Sequence, residues 1–99
     1  MVKKEYCLDF VSKIQNKEKE SLYKFFTRNS IIVFLDGFNE IIVPDFVEYI
    51  ERNYFDKNIN IKRVLESKVA TKIELEIDNQ EISFIFEIKE RRIRRLEIM

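Results

Sequence analysis

The side chains able to do chemistry in this chain are few. Its 99 residues include no His and one Cys. Without imidazole, most catalytic triads, His-ligated metals and proton switching near neutrality are excluded. One thiol, Cys7, excludes an internal disulfide and any Cys-cluster metal site. Carboxylate, phenol and guanidinium chemistry remain. Asp36 and Glu40 flank an Asp-Gly turn, and Asp45 follows Pro44. Such carboxylates could act as acid and base if burial kept one of them protonated. Their plainer roles are turn former, exposed strand residue and helix-start charge. Tyr6, Tyr23, Tyr49 and Tyr54 offer phenols, and Tyr23 or Tyr54 could place a donor in a cavity. A helical Tyr more often packs its ring and keeps its hydroxyl at the rim. Cys7 would be reactive only if exposed beside a cation, and its place next to an apolar stripe suits an inert, buried thiol. No catalytic residue, metal ligand set or cofactor is assigned. The single Gly excludes the Gly-rich dinucleotide fingerprint and the P-loop.

Charge narrows the partners. Eighteen basic and 18 acidic residues balance to zero, whereas a free-standing nucleic-acid binder normally carries a basic excess. Nucleic acid is therefore not expected as a partner. The excess exists locally: Arg91, Arg92, Arg94 and Arg95 cluster, and with Lys62, Arg63 and Lys89 could form a basic patch for phosphate or RNA. The alternative is a solvated strand face neutralised by Glu74, Glu76, Glu87 and Glu97. No apolar run is long enough to span a membrane, and residues 1–5 lead into charge rather than a secretory core. The expected location is cytoplasmic.

The aromatic set is the most informative feature. Nine Phe residues are present. Phe10, Phe26, Phe34, Phe84 and Phe86, with Ile14 and Tyr54, are the candidate lining of an apolar cavity for a small hydrophobic ligand. The competing reading is that the same rings fill the core, since close packing is the default and a small core spares little volume.

The elements that must position these residues follow from periodicity. Tyr6, Phe10 and Ile14, with Cys7 and Val11, make an amphipathic helix over residues 3–15. Leu22, Phe25 and Phe26 predict a second helix over 17–26, with 27–30 as its exit turn. The run 31–35, the Asp36-Gly37 pair and the run 39–43 predict a hairpin. Pro44 opens a third helix over 44–55. Residues 59–66, 69–77, 81–89 and 92–98 read as four strands. Ile73, Leu75 and Ile77 alternate with Lys72, Glu74 and Glu76, as a half-buried strand requires. Residues 78–80 and 89–91 are the turns between the last three strands. Short connections imply an antiparallel meander. Three helices on one face of a mostly antiparallel sheet make a single α+β domain over residues 1–99.

Three stretches carry a family likeness: FVSKIQNKEKESLYKFFTRNSIIVF, EIIVPDFVEYIERNYF and EISFIFEIKERRIRRLEIM. Their order of helix pair, strand, third helix and aromatic closing hairpin resembles the nuclear transport factor 2-like superfamily, which includes SnoaL-like cyclases and ketosteroid isomerase. The resemblance implies a cone-shaped, cystatin-like α+β roll with a curved sheet. Two departures stand out. The chain is short for that family and lacks the usual Gly of the closing turn, where Glu90, Arg91 and Arg92 stand. The positions at which isomerase-type members carry a carboxylate base, a Tyr and a carboxylic acid hold Phe34, Phe10 and Phe84, and phenyl rings cannot move protons. A slip of two residues would bring Asp36 near the base position. Family members often dimerise through the outer sheet face. Ile85, between Ser83 and Glu87, and Val64, between Lys62 and Glu66, with Arg94, are the candidate interface. The expectation is a non-catalytic homodimeric binding module with a small apolar cavity. An interaction module with a filled core, binding protein or nucleic acid, is the first alternative. An isomerase- or cyclase-like enzyme is the second.

Overall fold

In the computed structural model all 99 residues are described. The chain runs α1 (Lys3–Gln15), α2 (Lys19–Tyr23), β1 (Phe26–Phe34), β2 (Asn39–Ile41), α3 (Val43–Tyr54), β3 (Ile59–Glu66), β4 (Thr71–Ile77), β5 (Gln80–Lys89) and β6 (Arg92–Ile98). The six strands form one sheet in the order β2-β1-β6-β5-β4-β3. Every neighbouring pair is antiparallel except β1 and β6, which run parallel. The helices lie against one face, so the architecture is the expected α+β roll.

Burial follows the two periodicities of the sequence. On α1 the buried stripe is Cys7, Phe10, Val11 and Ile14, and on α3 it is Phe46, Val47, Ile50 and Tyr54. On β4, Thr71, Ile73, Leu75 and Ile77 are buried while Lys72, Glu74 and Glu76 alternate outward. These sets meet in one hydrophobic cluster of 21 residues. Pro44 occupies the first turn of α3, where its missing N–H leaves no bond unmade, and Asp45 in the same turn complements the helix dipole.

Five local expectations are corrected. The second helix does not span residues 17–26; it is confined to Lys19–Tyr23. Lys17 adopts a positive φ of 59°, which interrupts the helical path, and Phe26 enters the sheet beside Ile93. Residues 27–30 are therefore no exit turn but a bulge within β1, which advances from Phe26 to Ile31 while β6 advances only from Ile93 to Arg95. The polar residues satisfy the backbone that the bulge unpairs. Ser30 Oγ donates to the Ile93 carbonyl at 2.6 Å and accepts from Thr27 N at 2.9 Å, and Asn29 N donates to Thr27 Oγ1 at 3.2 Å.

The Asp36-Gly37 pair turns the expected antiparallel hairpin, but its second strand ends at Ile41 rather than at residue 43, because α3 begins at Val43. The register pairs Phe34 with Asn39, and the Leu35 amide still bonds the Ile98 carbonyl at 2.8 Å. The connection is therefore four residues long, with Gly37 at φ +84° and Phe38 at +52°. The fourth strand starts at Thr71 rather than at residue 69, because Ser67 closes a tight turn on Ala70 (Ser67 N to Ala70 O, 2.9 Å). Finally, Val64 does not face outward. The β3–β4 register shifts between Ile61 and Arg63, so Val64 pairs with Ile73 and packs against the core.

The β4–β5 and β5–β6 connections are two-residue turns in which both residues have positive φ: Asp78 and Asn79 (47° and 70°), Glu90 and Arg91 (53° and 63°). Asp and Asn tolerate this conformation, whereas Glu and Arg meet Cβ strain in it. Replacing Glu90→Asn together with Arg91→Gly is expected to raise stability by about 1 kcal/mol, a melting-temperature gain of roughly 4–8 °C in thermal denaturation. A lower melting temperature would show that the native turn residues contribute contacts outweighing their backbone strain.

Candidate functional site

The space between helices and sheet is organised around the Phe10 ring, which is wholly buried. It meets Phe25, Phe26, Phe84 and Phe86 at centroid distances of 5.2, 5.6, 6.4 and 5.7 Å, all edge-on. Phe84 continues the chain of contacts to Tyr54 at 6.4 Å, and Phe26 to Phe46 at 6.1 Å. Edge-to-face packing of this kind fills space and adds quadrupole attraction to burial. Six of the seven candidate lining residues, Phe10, Ile14, Phe26, Tyr54, Phe84 and Phe86, thus lie in one cluster. Phe34, the seventh, is half-buried and stacks its edge on Tyr49 at 4.9 Å near the rim. Of the seven, only Phe26 and Tyr54 reach the wall of a cleft, and they reach different ones.

The interior offers little for proton transfer. Phe10 and Phe84 are in mutual contact and fully buried. Thr71 is the one buried polar residue. Burial pushes the Cys7 thiol up from 9.0 to about 12, partly offset by a hydrogen bond with Thr71. Burial, reinforced by a hydrogen bond with Tyr49, also raises the Tyr54 phenol. The Tyr6 phenol is raised by burial against an opposing pull from the nearby Arg92 guanidinium. The carboxylates Asp36, Glu40 and Asp45 are all exposed, in the β1–β2 turn, on β2 and on α3. No three His, Cys, Asp or Glu side chains come together closely enough to hold a metal ion. No helix is long and apolar enough to cross a membrane.

The largest concavity lies elsewhere, on the β2 edge of the sheet, and has a volume of about 550 Å³. Three features create it. The β1 bulge lifts Thr27, Arg28 and Ser30 out of the sheet. β2 is only three residues long. The chain then enters α3 directly at Val43, so Ile41, Ile42 and Pro44 form one wall while Phe26, Ile31 and Ile32 form the other. Seven of its twelve lining residues are hydrophobic, and Arg28 and Glu40 are its only charged groups. Of this lining the sequence points to Phe26 as cavity wall, to Tyr23 as a possible cavity donor and to Glu40 as a candidate carboxylate. The signal that could have found the rest is the run Ile41-Ile42-Val43-Pro44, which is too apolar for an exposed edge strand. A second cleft, of about 360 Å³, lies across the bulge and is lined by Lys89, Glu90, Arg92 and Arg94.

On the outer sheet face, Ile85 stands between Lys72 and Glu97 in cross-strand register. Arg95 pairs with Glu97 at 2.9 Å, and Arg63 with Glu74 at 2.8 Å. Most of this face is therefore a lattice of matched charge. Arg94 stands apart from it, at the bulge.

No protein-family model and no curated protein matches the chain by sequence. Solved structures do match it along its length. An NTF2-like protein of unknown function from Cytophaga hutchinsonii superposes with a TM-score of 0.79 over 100% of this chain and 89% of its own, at 11% identity. The chain has the nuclear transport factor 2-like fold. A cystatin-fold protein from Novosphingobium aromaticivorans gives 0.82 over 100% and 98% of the two chains, at 7% identity. A proposed SnoaL-like polyketide cyclase from Shewanella putrefaciens gives 0.74 over 100% and 80%, at 12% identity. The NTF2-like likeness is one of backbone path, with β6 between β1 and β5 in this chain's sheet.

The Cys7 environment makes a pH prediction. A thiol whose folded value lies above its unfolded one holds its proton in the native state after the unfolded chain has lost it. Folding stability is therefore full below pH 9 and falls as pH rises towards 12. Denaturant unfolding between pH 8 and pH 10 should show this decline, and Cys7→Ala should flatten it. An undiminished slope in Cys7→Ala would assign the decline to the phenols.

Proposed function

We propose that this protein is a non-catalytic, homodimeric binding module that takes a small, largely apolar ligand in the cleft at the β2 edge. The cleft itself is the observation that carries the reading. Its volume falls within the range usual for small-molecule sites, and apolar walls with a few convergent polar groups are their usual lining. Phe26 joins the cleft to the packed rings of Phe10, Phe84 and Phe86, with Ile14 and Tyr54 in the same buried cluster and Phe34 at its edge, so the wall is backed by a packed floor. An isomerase- or cyclase-like role finds no support, because no exposed carboxylate faces the interior and the interior positions that would bind an enolate carry phenyl rings.

Dimerisation through the outer sheet face fits the register. The row Leu65, Lys72, Ile85, Glu97, Val33 crosses five strands. A two-fold axis along β5 would set Ile85 against its own copy and Lys72 against the partner's Glu97, a self-complementary arrangement of the kind a two-fold dimer needs. Arg94 lies on the same strand as the Arg95–Glu97 pair and would border that contact.

Native mass spectrometry of the purified protein tests both halves. A dimer is expected, converting to monomer in Ile85→Arg with an unchanged circular dichroism spectrum. Retained ligand or the neutral fluorophore Nile red should bind the wild type and be lost in Ile42→Asp, a change at a residue already 64% exposed. A bare monomer that ignores the fluorophore would overturn the reading.

A further inference from the structure

The charges of this chain balance overall but not locally. On the outer face nearly every cation has a carboxylate: Lys62 with Glu76 at 3.5 Å, Arg63 with Glu74 at 2.8 Å, Lys72 with Glu74 at 3.5 Å, Arg95 with Glu97 at 2.9 Å. At the end of the sheet where β1 begins and the β5–β6 hairpin turns, the pairing stops. Lys89, Arg91, Arg92 and Arg94 of the hairpin, and Arg28 of the β1 bulge, make no ion pair within 4.0 Å. Glu90 is the one carboxylate lining the cleft there. Arg92 is held by the Arg91 carbonyl at 2.8 Å and lies beside the Tyr6 hydroxyl, so its guanidinium is oriented without being neutralised.

The backbone at this end is shaped as well as charged. Two irregularities coincide at Arg94. On one side, β1 loops out over residues 27–30 between its pairings with Ile93 and Arg95. On the other, the β5–β6 register shifts between Glu87 and Ile88, so that Ile93 and Arg95 have partners on β5 while Arg94 has none. Arg94 is thus unpaired towards both neighbouring strands. Bulges re-aim side chains and concentrate beside functional sites. Here they open the cleft of about 360 Å³, with Lys89, Arg92 and Arg94 around it and the neutral polar residues Thr27 and Asn29 on the bulge side.

We propose that this cleft is a binding site for a phosphate-bearing small molecule of nucleoside-diphosphate size. Two Arg residues offer planar forks that match phosphate oxygens in pairs, and Lys89 adds a compact charge. Crowded like charges repel, and a polyanion seated among them relieves that repulsion at a site where Glu90 is the one carboxylate and makes no ion pair with them. The concave shape favours a small ligand over a polymer. A single-strand-binding groove sets exposed aromatic rings beside its cations, whereas the one strongly exposed ring, Phe38, lies at the opposite end of β1. This site adjoins the apolar cleft across the bulge, sharing Thr27 and Ile31 with it but none of its cations.

The test is calorimetric titration of the full-length protein with ADP and with pyrophosphate at about 50 mM salt, with adenosine as the uncharged control. Saturable one-to-one binding of both phosphates and none of adenosine is expected, together with a rise in melting temperature. Arg94→Gln should weaken binding about tenfold, in line with loss of a charge-assisted phosphate contact, while Arg63→Gln on the paired outer face leaves it unchanged. The apolar-cleft variant Ile42→Asp should keep phosphate binding, so this proposal and the ligand reading above fail independently. Absence of heat and of any thermal shift at millimolar ADP and pyrophosphate would overturn the proposal. Equal losses in Arg94→Gln and Arg63→Gln would also do so, by showing unspecific attraction. Tighter binding to single-stranded RNA or anionic vesicles than to ADP would replace the small-molecule site with a polymer or lipid surface.

Discussion

The structure depends on where β6 is placed. It is the only strand that joins the two halves of the sheet, antiparallel to β5 through the closing hairpin and parallel to β1 across a long sequence separation. Its inward residues Ile93, Leu96 and Ile98 are buried, and its neighbours must conform to them. Inward residues of a regular strand recur every second position, yet Ile93 and Leu96 are three apart. One residue has to bulge out, and that residue is Arg94. The irregularity passes to β1, which absorbs it by looping residues 27–30 out of the sheet. The bulges of β1 and β6 therefore meet at Arg94, and the basic cleft opens beside them.

The filled interior is the second consequence of scale. A cone closed by three helices, one of them five residues long, encloses little volume, and each Phe occupies much of it. Phe10 touches four other rings, which leaves no room behind it for a ligand. Void in such a core would cost stability by forfeiting dispersion contacts. The largest concave surface lies where the sheet runs out, at the short β2 strand, and a second cleft opens where the β1 bulge stands clear. Both clefts border the same four-residue projection, one apolar and one basic.

Much of this was legible in the chain itself. The stripes of α1 and α3 and the alternation of β4 and β5 announce themselves because each repeat must hide one face, and the observed ends of α1, β3 and β6 match periodicity. Misread segments share a cause. Phe25 and Phe26 fit a helical stripe, but burial beside Ile93 in the sheet outweighs weak local helix propensity. Val64 obeys alternation until a bulge at Lys62 reverses its face. Each outcome turns on a partner distant in sequence.

What the sequence alone determined is the list of elements, the faces they bury and the chemistry that is missing: no imidazole, and a single thiol. Those follow from residue type and short-range spacing. Tertiary structure decided which candidates meet and where the surface opens. Phe10, Phe84 and Phe86 became a packed floor, Ile41 and Ile42 became a wall, and Arg94 was left unpaired between two strands. The physical reason is that a bulge and a register are set by the fit of whole strands against one another, and no window of neighbouring residues contains both sides of that fit.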